Sequence, residues 1–454
     1  MYLEHTECRS IRGMPDKLDF ECRKKEYIVS VGQDLARSYG YKEIQTPILE
    51  FASVYTKSVG ETSDIASKEM YTFSDRNNDL ISLRPEGTAG VVRAFLSNNL
   101  AANLPCKMYY SGPMFRHERP QKGRLRQFDQ FGIECYGVHH PTADIESIMI
   151  AWKFIQNIGV SKNAKILINT LGDLESRNAY IKILIDYLNT KKSQLSKDSL
   201  DRLNKNPLRI FDSKDTNDIQ IVANSPNLFD YLSPSSLKHY QFVEKVLSDL
   251  GIPIERNNRL VRGLDYYDHT VWEIVVDSNN LGKSQDTVLA GGRYNGLVKT
   301  MSGNLNVPGI GWGAGIDRLS LLLDGNRVCK DHVPICVVLV PDNIDSDNPN
   351  ETNLRSISTD IAGLGMRVMS MLVDNKIPAV LIHSTKSNNS EDSYMESYRT
   401  LSKQLFTAAN FYPKHVVIIG KSEAQFGKVL IRDFETKEQD ECLLEELLKN
   451  IVIE

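Results

Sequence analysis

The stretch from Lys107 to Tyr136 is KMYYSGPMFRHERPQKGRLRQFDQFGIECY, and it predicts an antiparallel hairpin whose two strands are joined by a basic loop. Because alternate side chains of a strand share a face, Gln130, Gly132 and Glu134 face one way and the apolar side chains between them face the other. The polar face suits a small polar substrate lying on the sheet, with Gly132 letting it approach the backbone. A solvent-exposed strand face is the alternative, as is a strand-edge salt bridge for Glu134 taken alone.

Further strands and helices are predicted on both sides of the hairpin. Residues 81–95 have the pattern of a strand, a turn at Pro85-Glu86-Gly87 and a helix for which Thr88 is the predicted N-cap. The polar helical pattern of residues 172–250, broken at three proline-containing dipeptides, predicts a helical insertion. The remaining predicted elements are a helix over Leu18–Ser38, a strand within Gly40–Pro47, strands over Thr270–Val276, Thr287–Ala290 and Gly309–Gly313, and a helix ending near Asp324-Gly325.

After Asp331 the pattern changes to strands alternating with helices, which predicts a small α/β domain with a parallel or mixed sheet. Its first strand is the apolar run Ile335–Val340. We then expect a helix near Leu354–Ala362, a strand at Met366–Leu372 and, further on, a final helix after Glu441. These patterns divide the chain into residues 1–330 and 331–454.

The size and charge of the chain limit what it can be. With 454 residues, two or three domains are expected. A net charge of -4 argues against a protein that coats nucleic acid through bulk positive charge, although local basic patches could still hold one folded RNA. The cysteines form no C-x-x-C pair, so neither a zinc site nor a disulfide framework is predicted. The polar N-terminus and the short apolar runs predict a cytoplasmic protein without a membrane segment.

Three arginines beside glycines, Arg116, Arg262 and Arg318, are candidates for an anion site. Taken singly, each is better explained as a surface ion-pair partner. Together they could surround a triphosphate, because guanidinium groups bind phosphate oxygens bidentately and stay charged at any working pH. The glycines of Gly309–Gly313 also match a dinucleotide fingerprint weakly, which leaves an NAD enzyme as a competing interpretation.

Several strings, in their order along nearly the whole chain, resemble the class II aminoacyl-tRNA synthetases, and in particular the histidyl-tRNA synthetase family. Three are similar to the signature motifs of the class, of which the first builds the dimer interface: Gly40–Glu50, Phe115–Arg124 with Arg126–Phe128, and Gly309–Leu319. Others are similar to strings of the histidine enzymes: Leu260–Tyr267, Ala290–Tyr294 and Arg84–Thr88. The resemblance implies an α+β catalytic domain at 1–330, with a mostly antiparallel sheet flanked by helices and the insertion at 172–250, and a C-terminal α/β anticodon-binding domain at 331–454.

The resemblance also implies roles for residues around the amino acid. The residues matching Glu86, Thr88 and Gln130 bind the α-amino group of histidine, and a carboxylate is the expected partner of an ammonium. Those matching Glu134 and Tyr267 reach the imidazole, with Tyr266 in the same histidine-binding string. A site that satisfies both ring nitrogens would reject apolar side chains, because its buried polar groups would be left unpaired.

The three arginines are the catalytic residues that the resemblance implies. Arg116 matches the arginine that grips the α-phosphate of ATP, Arg318 the one near the γ-phosphate, and Arg262 the one that bridges the substrate carboxylate and the α-phosphate. The implied reaction activates L-histidine to histidyl-adenylate with release of pyrophosphate, and then loads it onto the 3′ end of histidine tRNA. Mg²⁺ is expected to arrive with ATP, and no metal site made of protein side chains alone is predicted.

The resemblance implies macromolecular partners as well. Arg119 and Gln121, in the basic loop, match positions that recognise the acceptor end of histidine tRNA, and a solvated hairpin tip is the alternative. A homodimer is implied. The competing function is that of a related non-aminoacylating protein, which serves as a regulatory subunit of histidine biosynthesis and lacks the anticodon domain. We prefer the synthetase because Glu86 and the three arginines are intact and a full C-terminal domain follows.

Overall fold

A computed structural model describes residues 9–60, 63–261, 263–281, 286–328, 333–343, 355–383, 385–386 and 397–451. The chain divides into two compact units, Met1–Gly325 and Asn326–Glu454. The division falls just before residue 330, the predicted end of the catalytic domain. Of the predicted site residues, Arg262 lies outside the described ones. Within the described ranges, no helix combines the length and the apolar character needed to cross a membrane.

The larger unit contains one large sheet and one small sheet. Its strands are β1 (Lys42–Glu43), β2 (Leu49–Phe51), β3 (Thr72–Ser74), β4 (Leu80–Leu83), β5 (Cys106–Phe115), β6 (Gln127–Tyr136), β7 (Ala164–Thr170), β8 (Ile254–Arg256), β9 (Asp268–Val276), β10 (Thr287–Arg293) and β11 (Gly309–Gly315). The large sheet has the order β1-β5-β6-β11-β10-β9-β7-β8, and the small one β2-β4-β3. β1 with β5 and β7 with β8 pair in parallel, whereas the other neighbours in the large sheet are antiparallel. The predicted fold class, a mostly antiparallel sheet flanked by helices, is therefore confirmed.

Helices flank the large sheet and form the region predicted as an insertion. They are α1 (Asp19–Ser38), α2 (Ala52–Val59), α3 (Thr88–Ser97), α4 (Thr142–Asn157), α5 (Leu174–Thr190), α6 (Lys197–Lys205), α7 (Thr216–Ala223), α8 (Pro234–Asp249), α9 (Leu297–Ser302) and α10 (Ile316–Leu322). Short helical segments lie at Ile65–Glu69, Leu100–Ala102, Lys192–Gln194, Pro207–Asp212 and Leu228–Tyr231.

The four helices α5 to α8 lie inside residues 172–250, and each begins where a side chain can cap it. The side chains of Asp173, Ser196, Asp215 and Ser233 accept hydrogen bonds from backbone N–H groups in the first turns. Such caps satisfy donors that the helix itself cannot, and each is worth about 1 kcal/mol. The polar residues of this region thus fix where the helices start.

The predicted hairpin is formed by β5 and β6, which pair along ten residues. The apolar face of β6 packs into the core as expected, since the ring of Phe131 lies 5.9 Å from that of Trp312 and 5.7 Å from that of Phe154. This packing on one face leaves the polar side chains of β6 on the opposite face of the sheet.

The smaller unit has a mixed five-stranded sheet in the order β15-β12-β18-β19-β20. Its strands are β12 (Ile335–Leu339), β13 (Asp342–Asn343), β14 (Arg355–Ser356), β15 (Ala379–Leu381), β16 (Thr385–Lys386), β17 (Ser397–Tyr398), β18 (His415–Ile419), β19 (Lys428–Asp433) and β20 (Gln439–Leu443). Its helices are α11 (Thr359–Asp374), α12 (Leu401–Ala408), α13 (Lys421–Phe426) and α14 (Leu447–Asn450). β12 pairs in parallel with β15 and β18, and the remaining pairs in this sheet are antiparallel.

One element of the smaller unit was predicted wrongly. Residues 366–372 lie inside α11 and are not a strand. The buried residues Ile361, Leu364, Val368 and Leu372 follow the spacing of one helical face, which continues through this stretch. The helix begins at Thr359, later than predicted, where the side chain of Ser358 caps it. The predicted helix after Glu441 is also short, since that residue belongs to β20 and α14 covers only Leu447–Asn450.

Candidate active site

The floor of the candidate active site is the polar face of β6 together with the glycines of β11 beside it. In the register of the two strands, Gln130 lies opposite Gly315, Gly132 opposite Gly313 and Glu134 opposite Gly311. A Cβ atom at Gly311 would collide with the Glu134 carboxylate, and one at Gly313 with the Gln130 amide. The glycines therefore provide the space that both polar side chains occupy.

Glu134 lies at the centre of this floor and is fully buried, with 0% of its surface exposed. One carboxylate oxygen accepts a hydrogen bond of 2.7 Å from the Thr88 hydroxyl, and the other accepts the hydroxyl of Tyr294. Burial raises the pKa of Glu134 from 4.5 to about 8. β6 is an interior strand of the sheet, so the strand-edge salt bridge considered from the sequence is wrong.

Glu86 caps the helix that supplies Thr88. Its carboxylate oxygens accept hydrogen bonds of 2.7 Å from the backbone N–H groups of Thr88 and Ala89, at the start of α3. Thr88 was predicted to be the N-cap, but it is the first residue of the helix and its hydroxyl donates to Glu134 instead. Glu86 is 3% exposed, and burial raises its pKa even though the helix N-terminus stabilises its charge. The pocket thus contains two buried carboxyl groups linked through Thr88.

Three tyrosines form one wall of the pocket. The ring of Tyr266 lies 4.6 Å from that of Tyr267 and 5.6 Å from that of Tyr294. Tyr267 packs against Gly292, where a Cβ atom would come within 2.8 Å of the ring. Tyr266 and Tyr267 were predicted to bind histidine, and the structure places both beside the residue that donates to Glu134.

The gap at Gly132 is filled by a side chain that sequence analysis did not single out. A Cβ atom at Gly132 would lie 2.5 Å from the hydroxyl oxygen of Tyr110, which is on the neighbouring strand β5. The expectation that a substrate approaches the backbone there is therefore wrong. The Tyr110 hydroxyl and the Oε1 atom of Gln130 are both buried, and neither has a hydrogen-bond partner among the described residues. Both groups are available to a ligand.

A cavity lined by three arginines adjoins the floor. It has a volume of about 190 Å³ and is lined by Arg116, Arg124, Arg318 and Gln130, and also by the carboxylates of Glu118, Asp129 and Asp317, which pair with Arg124 or Lys17. The Nε atom of Arg116 donates to the Pro85 carbonyl at 2.8 Å, and this bond orients the side chain. The structure thus brings Arg116 and Arg318 into one cavity, next to the floor residues.

Two backbone carbonyl groups hold the Arg318 guanidinium in position. It donates to the carbonyl of Gly123 at 2.9 Å and to that of Thr287 at 2.6 Å. Burial, together with the neighbouring Arg124 and Arg116, lowers the pKa of Arg318 to about 10. Arg318 therefore remains protonated at neutral pH, and an anion in the cavity would relieve the repulsion between the three guanidinium groups.

Comparison with known proteins identifies the family. The profile described as histidyl-tRNA synthetase matches residues 13–319. The chain belongs to the histidyl-tRNA synthetase family. It is 41% identical over 442 residues to the histidine--tRNA ligase of Rhodospirillum rubrum, covering 96% of this chain and 98% of the relative. The predicted family is confirmed.

Solved structures of similar proteins agree with this assignment. The apo histidyl-tRNA synthetase of S. aureus has 30% sequence identity and a TM-score of 0.74, covering 97% of this chain and 98% of that one. A Bacillus halodurans protein described as an ATP phosphoribosyltransferase regulatory subunit/histidyl-tRNA synthetase has 18% identity and a TM-score of 0.61, covering 91% of this chain and 98% of that one. At that identity it shares the fold only. The predicted fold class agrees with these structures, and the regulatory alternative is not favoured.

In this synthetase-family chain, the buried residue Glu118 anchors the basic loop between β5 and β6 through contacts with three arginines. Glu118 is buried and pairs with Arg124 and, at 3.8 Å, with Arg116, while its carbonyl accepts the Nε–H of Arg126 at 3.1 Å. Arg119 and Gln121, the predicted tRNA contacts, are exposed on the loop. The loop therefore presents these two side chains to solvent from an anchored base.

A buried ion pair holds Tyr294 in place, and sequence analysis assigned it no role. Arg293 and Asp144 are both fully buried, and the guanidinium contacts both oxygens of the carboxylate. The Nη1 atom of Arg293 also donates to the carbonyl of Val138 at 2.9 Å. Since Tyr294 follows Arg293 directly, this pair fixes the backbone from which the Tyr294 hydroxyl reaches Glu134. Only part of the pair was visible in the sequence, because Arg293 belongs to the string Ala290–Tyr294 whereas Asp144 belongs to none of the motif strings.

A second ion-pair cluster joins the strand that carries Gln130 to the helix that carries Arg318. Lys17 contacts Asp129 at 2.7 Å and Asp317 at 2.5 Å, and the backbone N–H of Asp129 donates to Asp317 at 2.7 Å. Lys25 of α1 contacts the other oxygen of Asp129 at 2.7 Å. The cluster ties β6 and α10 together beside the cavity. No sequence motif pointed to it, because its members are distant along the chain.

Proposed function

We propose that the chain is a histidine–tRNA ligase that activates L-histidine with ATP and transfers it to histidine tRNA. The observation that carries this proposal is a buried carboxyl group, Glu134, next to a cavity lined by three arginines. The first suits the imidazole of histidine and the second suits the triphosphate of ATP. The names of its relatives, which are histidine–tRNA ligases, support the same reaction.

The histidine pocket is assigned residue by residue. Glu134 accepts the imidazole N–H, and Tyr266 and Tyr267 complete the wall around the ring. Glu86 balances the α-ammonium, with Thr88 and the unpaired Oε1 atom of Gln130 beside it. We add Tyr110 and Tyr294 to this set, because the first has a buried unpaired hydroxyl and the second donates to Glu134.

The reaction needs two anions to be held together, and the arginines do this. Arg116 binds the α-phosphate and Arg318 the γ-phosphate, while Arg262 bridges the histidine carboxylate and the α-phosphate, as in the family. The histidine carboxylate attacks the α-phosphorus. The bond between the α-phosphorus and the oxygen that bridges it to the β-phosphorus breaks, and pyrophosphate leaves with the Mg²⁺ that arrived with ATP. The protein contributes positioning and charge stabilisation, and no side-chain nucleophile takes part.

The second step requires tRNA, for which the exposed loop and the smaller unit are the candidate contacts. Arg119 and Gln121 are accessible to the acceptor end of the tRNA, and the smaller unit is assigned to the anticodon. The 3′-terminal ribose hydroxyl then attacks the activated carbonyl and displaces AMP. We place the protein in the cytoplasm, where tRNA is charged.

A second copy of the chain is the expected partner of the small sheet. Its strands β2, β3 and β4 expose Leu49, Phe51, Phe73 and Leu80, each with more than a third of its surface accessible. Neighbouring exposed apolar side chains are typical of an interface. The first class motif, Gly40–Glu50, extends into β2, which fits the homodimer that the family implies.

Histidine-dependent exchange of pyrophosphate into ATP tests the proposal. A panel of amino acids is offered to the purified chain, and only histidine is expected to support exchange. Charging of histidine tRNA transcripts by the unmodified chain and by its Arg119→Ala variant then tests the second step. A chain that supports no exchange with any amino acid would be the regulatory protein instead, and exchange with another amino acid would overturn the assignment of Glu134.

A further inference from the structure

The helical insertion contacts the segment that carries Tyr266 and Tyr267 through several side chains. Arg209, in the helical segment Pro207–Asp212, donates to the Gly263 carbonyl at 2.5 Å. Asn206, just before that segment, donates from Nδ2 to the Asp265 carboxylate at 2.7 Å. Both bonds reach residues 263–265, which lead directly into the two tyrosines.

A third contact comes from another helix of the insertion. Arg177 of α5 donates from Nη1 to the carbonyls of Asp265 and Tyr267, both at 3.2 Å. The backbone of Tyr267 is therefore held by an insertion side chain, while its ring packs against Gly292 of the catalytic sheet. A shift of α5 or of Pro207–Asp212 would be transmitted to the tyrosine ring through these bonds.

These donors are well placed to resist movement. Arg209 is 7% exposed, and its Nη1 atom lies 3.4 Å from Asp64, which precedes the helical segment Ile65–Glu69. Arg202 contacts the same carboxylate at 3.8 Å. On the other side, the Asp265 N–H donates to the Val59 carbonyl of α2 at 3.4 Å. The tyrosine segment is thus fixed between α2 and the insertion by polar contacts on both sides.

We propose that the helical insertion sets the position of Tyr266 and Tyr267, with Arg177, Asn206 and Arg209 acting as positioning residues for histidine binding. This rests on the proposed function, because the tyrosines line the pocket assigned to histidine. The positioning residues do not touch the substrate. Their main effect is on the amino acid, since the arginine cavity is lined by residues of other segments and only Arg262, which precedes Gly263, links the tyrosine segment to the α-phosphate.

Replacing Asn206 by Asp tests the proposal. Asn206→Asp places a carboxylate against that of Asp265, and repulsion displaces the segment. We expect the KM for histidine in pyrophosphate exchange to rise about 10-fold and the KM for ATP, to which Arg262 also contributes, to rise by roughly threefold or less. The reciprocal exchange, Asn206→Asp with Asp265→Asn, restores the hydrogen bond with donor and acceptor swapped and is expected to recover most of the loss. The matched control is Lys205→Gln, because Lys205 is exposed and contacts Asp201 but not the segment.

Arg209→Lys gives a second measurement if Asn206→Asp does not fold, since it keeps the charge but cannot span Asp64 and Gly263 together. Thermal unfolding accompanies each variant. Folded variants that keep the histidine KM, or that raise both KM values equally, would overturn the proposal. A failure of the proposed function is distinguishable, because the unmodified chain would then show no histidine-dependent exchange at all.

Discussion

Replacing Glu134 by Gln is expected to weaken histidine binding and, at the same time, to stabilise the unliganded protein. Glutamine has the same size, but it cannot ionise and has one acceptor oxygen in place of two. With a pKa of about 8 the carboxyl group is mostly neutral at pH 7 in the unliganded protein, so the hydrogen bond lost is worth ~0.5–1.5 kcal/mol and kcat/KM for histidine should fall roughly 3- to 10-fold. The KM for ATP should change little, because Glu134 does not line the arginine cavity.

The gain in stability follows from the raised pKa of Glu134. A carboxyl group with a pKa of about 8 in the folded chain and 4.5 ordinarily destabilises the folded state progressively as the pH rises between these values. Each pH unit in that interval costs about 1.4 kcal/mol, which amounts to about 3 kcal/mol at pH 7. Glutamine avoids this cost, so Glu134→Gln should raise the free energy of unfolding by up to about 3 kcal/mol at pH 7, and the gain should vanish near pH 4.5.

Two assays on the same preparation check this prediction. Urea unfolding at pH 5 and pH 7 measures the stability difference, and pyrophosphate exchange at varied histidine and ATP measures the two KM values. A substituted protein that is less stable at pH 7 would refute the argument from burial. Parallel changes in both KM values would refute the assignment of Glu134 to the imidazole.

Three other substitutions have defined outcomes. Arg262→Ala should slow histidine-dependent exchange roughly 100-fold without lowering Tm, as removal of a charge-stabilising donor does, and near-normal exchange would remove its assigned role. Gly313→Ala should displace the Gln130 amide and raise the KM for histidine about 10-fold, whereas an unchanged KM would show that Gln130 does not bind the substrate. Asp144→Asn leaves Arg293 buried without its charge partner, so urea unfolding should show a loss of about 3 kcal/mol. Because the pKa of Asp144 is lowered from 3.8 to about 2, this stabilisation should be present above pH 4 and be lost as the pH falls towards 2.

Helices and strands whose apolar residues recur at a regular spacing could be predicted from the sequence, and so could the residues that share one of their faces. The alternation in 127–136 placed Gln130 and Glu134 on one face, and the structure confirms that placement. Residues 366–372 were predicted wrongly, because a short apolar stretch does not distinguish a strand from a continuing helix. The N-cap was misplaced because the side chains of both Glu86 and Thr88 can accept hydrogen bonds from backbone N–H groups.

Contacts between distant segments could not be predicted at all. The gap at Gly132 is filled by Tyr110 across the hairpin, and the space that a glycine leaves depends on which neighbour fills it. The pairing of Arg293 with Asp144 joins residues far apart in the chain, and local spacing carries no signal for it. The candidate site residues were predicted from motifs, whereas the side chains that hold them in place were visible only in three dimensions.

The most direct test of the central claim is a crystal structure with L-histidine and a non-hydrolysable ATP analogue bound together. The account predicts an imidazole nitrogen about 3 Å from the Glu134 carboxylate and the α-phosphate against Arg116, with the γ-phosphate at Arg318. Histidine bound away from β6, or phosphates outside the cavity shared by the two arginines, would contradict it.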